Sequence, residues 1–184
     1  MKVLVTSNSY GKYSDEATRL LQEAGFDVAL NPFHRQMNEE EFMGQIGDAD
    51  AIILSTEEVN ERVLDAAPRL KMISRYGVGL DNVDLIACKR RNIPVTVTGH
   101  ANSCAVAEYA ISLLLAAIKG IGYSNDFAKR GEWKKFDGMD VTGKTVGIVG
   151  LGAIGKEVVR KLQGFDVKIL AYDIYYDQEF CARC

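Results

Sequence analysis

Three glycines and one aspartate carry the clearest chemical signal in this 184-residue chain. Gly150, Gly152 and Gly155 stand at G-x-G-x-x-G spacing in "GLGAIG", and Asp173 lies 18 residues beyond Gly155. The spacing alone is weak evidence. Here it follows an apolar run, "TVGIVG", and precedes a helical pattern, "KEVVRKLQGF". In that setting Gly150 permits a tight turn, Gly152 lets backbone approach a pyrophosphate without a Cβ in the way, and Gly155 lets the helix pack close on the strand. The start of the helix presents unpaired N–H groups and the positive end of its dipole to an anion. Asp173 can accept both hydroxyls of an adenosine ribose, and its charge repels a 2′-phosphate. No lysine or arginine follows closely in "DIYYDQEF". The expected cofactor is therefore NAD rather than NADP.

A second constellation is "SRYGVGLDNVD", Ser74–Asp84. Two glycines flank Val78 and expose backbone N–H groups that can hold a carboxylate. Arg75 stands at the same place and can pair with an anionic substrate. Asp81 or Asn82 also suits a helix cap.

These residues need a scaffold that brings strand ends and helix starts together. "KVLVTS", "FDVAL", "AIILS", "LKMIS" and "IPVTVT" read as five strands. Helical patterns separate them, over Asp15–Ala24 with Gly25 as its stop, near Glu39–Gly47, after a capping Asn60, and through "DNVDLIACKRRN". Apolar strands alternating with helices predict an α/β fold, a parallel sheet covered on both faces. Ligands bind beyond the carboxyl ends of such strands, where Ser74–Asp84 falls. Asn102–Lys119 then reads as a long helix, apolar on most sides and so expected to be buried. A polar, glycine-containing stretch follows, in which Trp133 is expected to anchor the chain. The boundary between two domains is placed near Gly99, giving domains 1–98 and 99–184.

Composition excludes several other classes. The chain is 47% apolar and 26% charged with a formal net charge of -3, so no basic surface points to nucleic acid. No segment approaches the roughly 18 uninterrupted apolar residues of a spanning helix. The four cysteines form no disulfide framework, and without a signal peptide a cytoplasmic setting with reduced thiols is expected. Cys181 and Cys184 form a C-x-x-C, but no second pair completes a zinc set, so no metal site is expected and the two read as incidental thiols. Cys104 reads as a small core residue. His34 and His100, the two imidazoles, fall in loops and read as solvated or capping groups.

"SRYGVGLDNVD", "NSCAVAEYAISLLLAAIK" and "GKTVGIVGLGAIGKEVVRKL", in this order and spacing, resemble the D-isomer-specific 2-hydroxyacid dehydrogenases, and within them the phosphoglycerate dehydrogenases. The resemblance spans the chain and is strongest from Leu70 to Asp173. It implies a flavodoxin-like substrate domain followed by a Rossmann NAD-binding domain, with the long helix crossing between them. It implies that Val78 and Gly79 face substrate and nicotinamide, that Val106 lies near the cofactor, and that Ala153 and Ile154 contact the pyrophosphate. The implied activity is hydride transfer between NAD and the carbon of a small 2-hydroxy or 2-oxo acid, and the implied assembly a homodimer through the Rossmann domain.

The same resemblance calls for an arginine, a glutamate and a histidine in catalysis, in stretches of N-x-x-R-G, Glu-Pro and Pro-His type. None occurs here, so no catalytic residue is assigned, and the three are expected beyond Cys184. A dinucleotide domain has about six strands, yet only strand, helix and strand are read after Gly143. The chain is thus expected to be the N-terminal part of a longer enzyme, with an incomplete Rossmann domain and little activity by itself. The alternative reading is a non-enzymatic NAD-sensing or interaction protein on the same scaffold.

Overall fold

A computed structural model describes residues 1–184, which divide into two compact units, Met1–Gly99 and His100–Cys184. In the first unit five short strands, β1 (Lys2–Val5), β2 (Asp27–Leu30), β3 (Ala51–Leu54), β4 (Met72–Arg75) and β5 (Val95–Val97), form one parallel sheet in the order β2-β1-β3-β4-β5. That is the flavodoxin-like order, which reverses direction after β2. Four helices connect the strands: α1 (Glu16–Glu23), α2 (Glu39–Ile46), α3 (Glu61–Asp65) and α4 (Leu85–Arg90). Crossovers between parallel strands are right-handed. The reversal therefore puts α1 on one face of the sheet and the other three helices on the opposite face.

Burial follows this asymmetry. Leu4, Ile52, Leu54 and Ile73 of the strands pack with Phe42, Ile46, Val63, Leu64, Ala87 and Cys88 of α2, α3 and α4 in one core. Along β3, residues alternate between half-buried and buried, and α1 has no buried residue. The other face is also covered at β1, where Val3 and Val5, alternating with Leu4, are 4% and 0% exposed. Cover is thinner along β3, where Ala51 and Ile53 are half-buried.

Local chemistry sets the element ends. Gly25 ends α1 in the left-handed region at φ +81°. Asn38 caps α2 in a reciprocal box with Glu41, accepting from its N–H at 2.9 Å while the Glu41 carboxylate accepts from the Asn38 N–H at 3.0 Å. Asn60 caps α3 through Val63 N–H at 3.1 Å. The cap of α4 is Asp84, accepting from Ala87 N–H at 2.8 Å, and not the expected Asp81 or Asn82. Asn82 is occupied otherwise: its amide donates to the carbonyls of Ser55 and Glu57 at 3.1 and 2.7 Å, tying the loops after β3 and β4 together.

The second unit contains α5 (Ser103–Lys119), α6 (Ile121–Lys129), β6 (Thr145–Val149), α7 (Ala153–Leu162), β7 (Lys168–Tyr172) and α8 (Gln178–Arg183), with a 3-10 turn over Gln163–Phe165. Strands β6 and β7 pair in parallel, five residues against five, as an isolated two-stranded sheet. Two helices are additions to the sequence reading. α6 follows α5 across Gly120, which turns left-handed at φ +60° and lies so close to Phe136 that a Cβ there would come within 2.2 Å of the ring. α8 follows Asp177, whose carboxylate accepts from Phe180 N–H at 2.9 Å. Three expectations are corrected. α5 buries Ser103, Ala107 and Ile111, one stripe of its surface, while Tyr109 and Leu113 are exposed. Cys104 faces outward rather than into a core. Trp133 is 99% exposed and anchors nothing; Phe136, against Gly120 and Tyr123, does that work.

Candidate dinucleotide site

The turn between β6 and α7 is built as the glycine spacing demands. Gly150 has φ +98°, and its N–H donates to Tyr172 O at 2.8 Å, which locks the end of β6 to the end of β7. A Cβ at Gly155 would lie 2.1 Å from Gly150 O, so only glycine lets α7 start this close to the strand it leaves. A Cβ at Gly152 would meet nothing within 4 Å. The space over Gly152 is open, as an approaching phosphate requires.

Gly152 is the N-cap of α7, and no side chain caps the helix. The first bond inside the helix runs from Lys156 N–H to Gly152 O at 2.9 Å. The N–H groups of Ala153, Ile154 and Gly155 precede it and have no helical partner. Uncapped amides and the positive dipole end together favour an anion.

Asp173 sits directly beside this end, just after β7. One oxygen accepts from Tyr175 N–H at 2.8 Å and the other from Leu151 N–H, in the middle of the glycine turn. The Tyr175 N–H first, then that of Leu151, hold the Asp173 carboxyl below the usual carboxylate range. It stays ionised at neutral pH and keeps lone pairs free to accept from ligand hydroxyls. The tie to Leu151 has no signal in the sequence beyond the spacing of glycines and acid. The residues present thus fit a dinucleotide: a bare helix end for the pyrophosphate, clearance over Gly152, and a fixed carboxylate for the ribose.

Beside the same helix end is an open cavity of about 640 Å3, lined by His100, Ser103 and Cys104 before and on α5, by the cap Gly152, and by Ala153, Lys156, Glu157 and Arg160 of α7. Sequence reasoning missed the cationic members. Lys156 donates to Asp177, and Lys156 and Arg160 lie 5.4 and 5.3 Å from the Phe180 ring centre. Lys156 follows the last glycine of the motif immediately, the one available hint. Glu108 of α5 accepts from Lys161 of α7 at 2.9 Å and from the Cys104 thiol at 3.5 Å, and Lys161 lowers its pKa. Val106 and Ile154 are partly exposed, at 37% and 41%.

In the first unit the loop after β4 presents the second constellation. The N–H groups of Gly77, Val78 and Gly79 donate to no group in the chain. The Arg75 guanidinium is largely spent on the loop itself: it donates to Gly79 O at 3.1 Å, Tyr76 O at 2.9 Å and Leu54 O at 3.4 Å. It fills the space a Cβ on Gly77 would need, with Nη1 2.8 Å away. Arg75 therefore shapes the loop that displays the amides, and brings its charge to that place. His34, at φ +55° in the loop after β2, belongs to neither constellation.

The model of the D-isomer specific 2-hydroxyacid dehydrogenase catalytic domain matches residues 3–182. A D-3-phosphoglycerate dehydrogenase of Methanocaldococcus jannaschii is 37% identical over 183 residues, which cover 97% of this chain and 33% of that protein. A glyoxylate reductase of Thermococcus kodakarensis is 38% identical over 172 residues, covering 84% and 52%. Among solved structures, NAD+-bound 3-phosphoglycerate dehydrogenase of Entamoeba histolytica superimposes with a TM-score of 0.82 at 27% identity, over 98% of this chain and 56% of that one. The chain thus spans between a third and about half the length of these relatives.

Proposed function

The chain belongs to the D-isomer specific 2-hydroxyacid dehydrogenase family, and we propose from this that it binds NAD at the glycine turn of its second unit, as part of an oxidoreductase acting on the CH–OH group of a small D-2-hydroxy acid. The observation that carries the reading is the uncapped start of α7 beside the ionised Asp173. NAD, when bound, supplies the hydride-accepting ring. The N–H groups of Ala153 and Ile154 hold its pyrophosphate, Gly150, Gly152 and Gly155 keep backbone close and clear, and Asp173 accepts the ribose hydroxyls. Val106 gives the cofactor an apolar neighbour.

The first unit is the substrate domain in this proposal. The free amides of Val78 and Gly79 take the substrate carboxylate, and Arg75 adds positive charge beside them. Phosphoglycerate dehydrogenase-like activity is favoured by relatives of that name aligned over 97% of the chain. Glyoxylate reductases of similar identity support the broader class, a small 2-hydroxy or 2-oxo acid. Self-association through the second unit belongs to the same proposal, supported by exposed Leu113, Tyr123 and Met139. Titrating NAD into the 15N-labelled chain tests the cofactor site. The largest amide shifts are expected at Leu151–Gly155 and Tyr175; shifts confined to other segments would contradict the assignment.

A further inference from the structure

Cys181 and Cys184 lie at the end of α8, Cys184 being the residue that follows its last turn. Side chains three apart on a helix share a face. Both residues line one small cavity of about 140 Å3, together with Leu151, Val159, Ile169 and Phe180. Both are free and neither is fully buried. The other two cysteines are placed elsewhere: Cys88 is buried in the core of the first unit, and Cys104 bonds Glu108 on α5. One helical turn sets Cα atoms at i and i+3 roughly 5 Å apart, inside the range a disulfide spans.

The shared cavity also reaches the glycine turn. Leu151, 6% exposed, forms part of its wall and donates its N–H to Asp173. A change at these two residues therefore reaches the wall of the cavity that Leu151, which fixes that carboxylate, also forms.

We propose that Cys181 and Cys184 are a redox dithiol that closes to an intramolecular disulfide by exchange with a small disulfide of the glutathione class, and that its state is transmitted to the turn through Leu151. The more exposed Cys184 attacks first. Its thiolate forms a bond to one sulfur of the small disulfide and releases the other half as a thiol. The Cys181 thiolate then attacks the Cys184 sulfur and displaces the second thiol. The protein loses two electrons and two protons, and one small disulfide becomes two thiols. The proposal does not depend on what the turn binds.

The test is to treat the 184-residue chain with glutathione disulfide and measure intact mass, mapped by peptides without reduction. The wild type is expected to lose the mass of two hydrogens, with the link between residues 181 and 184. C181S is expected to retain one glutathione on Cys184. A wild type that keeps its thiols, holds a lasting glutathione adduct or links another pair overturns the dithiol. Hydrogen exchange at the Leu151 amide is expected to change about fivefold between the two states; an unchanged rate overturns its link to the turn.

Discussion

A β-carbon at position 155 would lie 2.1 Å from a backbone oxygen, whereas one at position 152 would meet nothing. The two glycines of one motif therefore serve different ends, and substitution separates them. Gly155→Ala has to push α7 off β6, an overpacking that costs about 1–3 kcal/mol; thermal unfolding of the second unit is expected at lower temperature. Asp173→Ala removes the acceptor for Leu151 N–H and the proposed ribose contact, so a drop of about tenfold or more in NAD affinity is expected by calorimetry, with the preference over NADP lost. Asp50 makes a separate residue-scale case. Its carboxylate is 3% exposed at the opposite end of the first sheet, where it accepts from Lys2 N–H at 2.8 Å and from Lys71 and Arg69 at 3.1 Å each. The Lys2 N–H, then Lys71, bring its pKa down to about 2. A depressed carboxylate stabilises the fold above its unfolded pKa, roughly 3.9, and that contribution is lost as pH falls through the folded value. Stability attributable to Asp50 is therefore expected to fade between about pH 4 and pH 2 in acid denaturation. Asp50→Asn is expected to flatten the curve in that window; an unchanged curve would contradict the account.

Elements were legible where local rules and tertiary packing agreed. The strands of the first unit are short apolar runs, and caps such as Asn60 sit where their type and place in the pattern demand. Asn38→Ala removes one half of a reciprocal box and is expected to lower the stability of the first unit by about 1 kcal/mol in urea unfolding. Elements were illegible where packing supplied what propensity lacked. α6, "IGYSNDFAK", contains glycine, serine, asparagine and aspartate, and has no buried residue. It is held by its start at Gly120 and by Tyr123 stacking with Phe127 and Phe136, at 4.4 and 5.5 Å between ring centres. α8 has six residues, too few to show a period. Its docking runs through the Phe180 ring and the Lys156–Asp177 pair, contacts between residues distant in sequence. The site shows the same division. Its glycines and acid stood in the sequence, whereas Arg75 turning onto carbonyls and Leu151 binding Asp173 are contacts that appear only once the turns close.

Across the whole chain the two units differ in what supports their strands. The first holds five paired strands over a continuous core; the second holds a parallel pair with Val149, Leu170 and Tyr172 exposed at 88%, 55% and 67%. Two strands alone are marginal in water. Amides of β1, β3 and β4 are therefore expected to exchange more slowly than those of β6 and β7, and the reverse order would contradict this picture. No residue of 1–184 is assigned to proton transfer, so incubation with NAD and 3-phosphoglycerate is expected to give cofactor binding without turnover; sustained NADH formation would show that an acid–base group has been overlooked. The most direct measurement is calorimetric titration of NAD into the wild-type chain and into Gly152→Ala, whose new methyl group meets no protein atom and stands only where a phosphate must pass. NAD affinity is expected to fall at least about tenfold in a variant that still folds, its unfolding midpoint lowered by no more than the loss of an N-cap glycine; equal affinity in the two proteins would contradict the phosphate site at this turn.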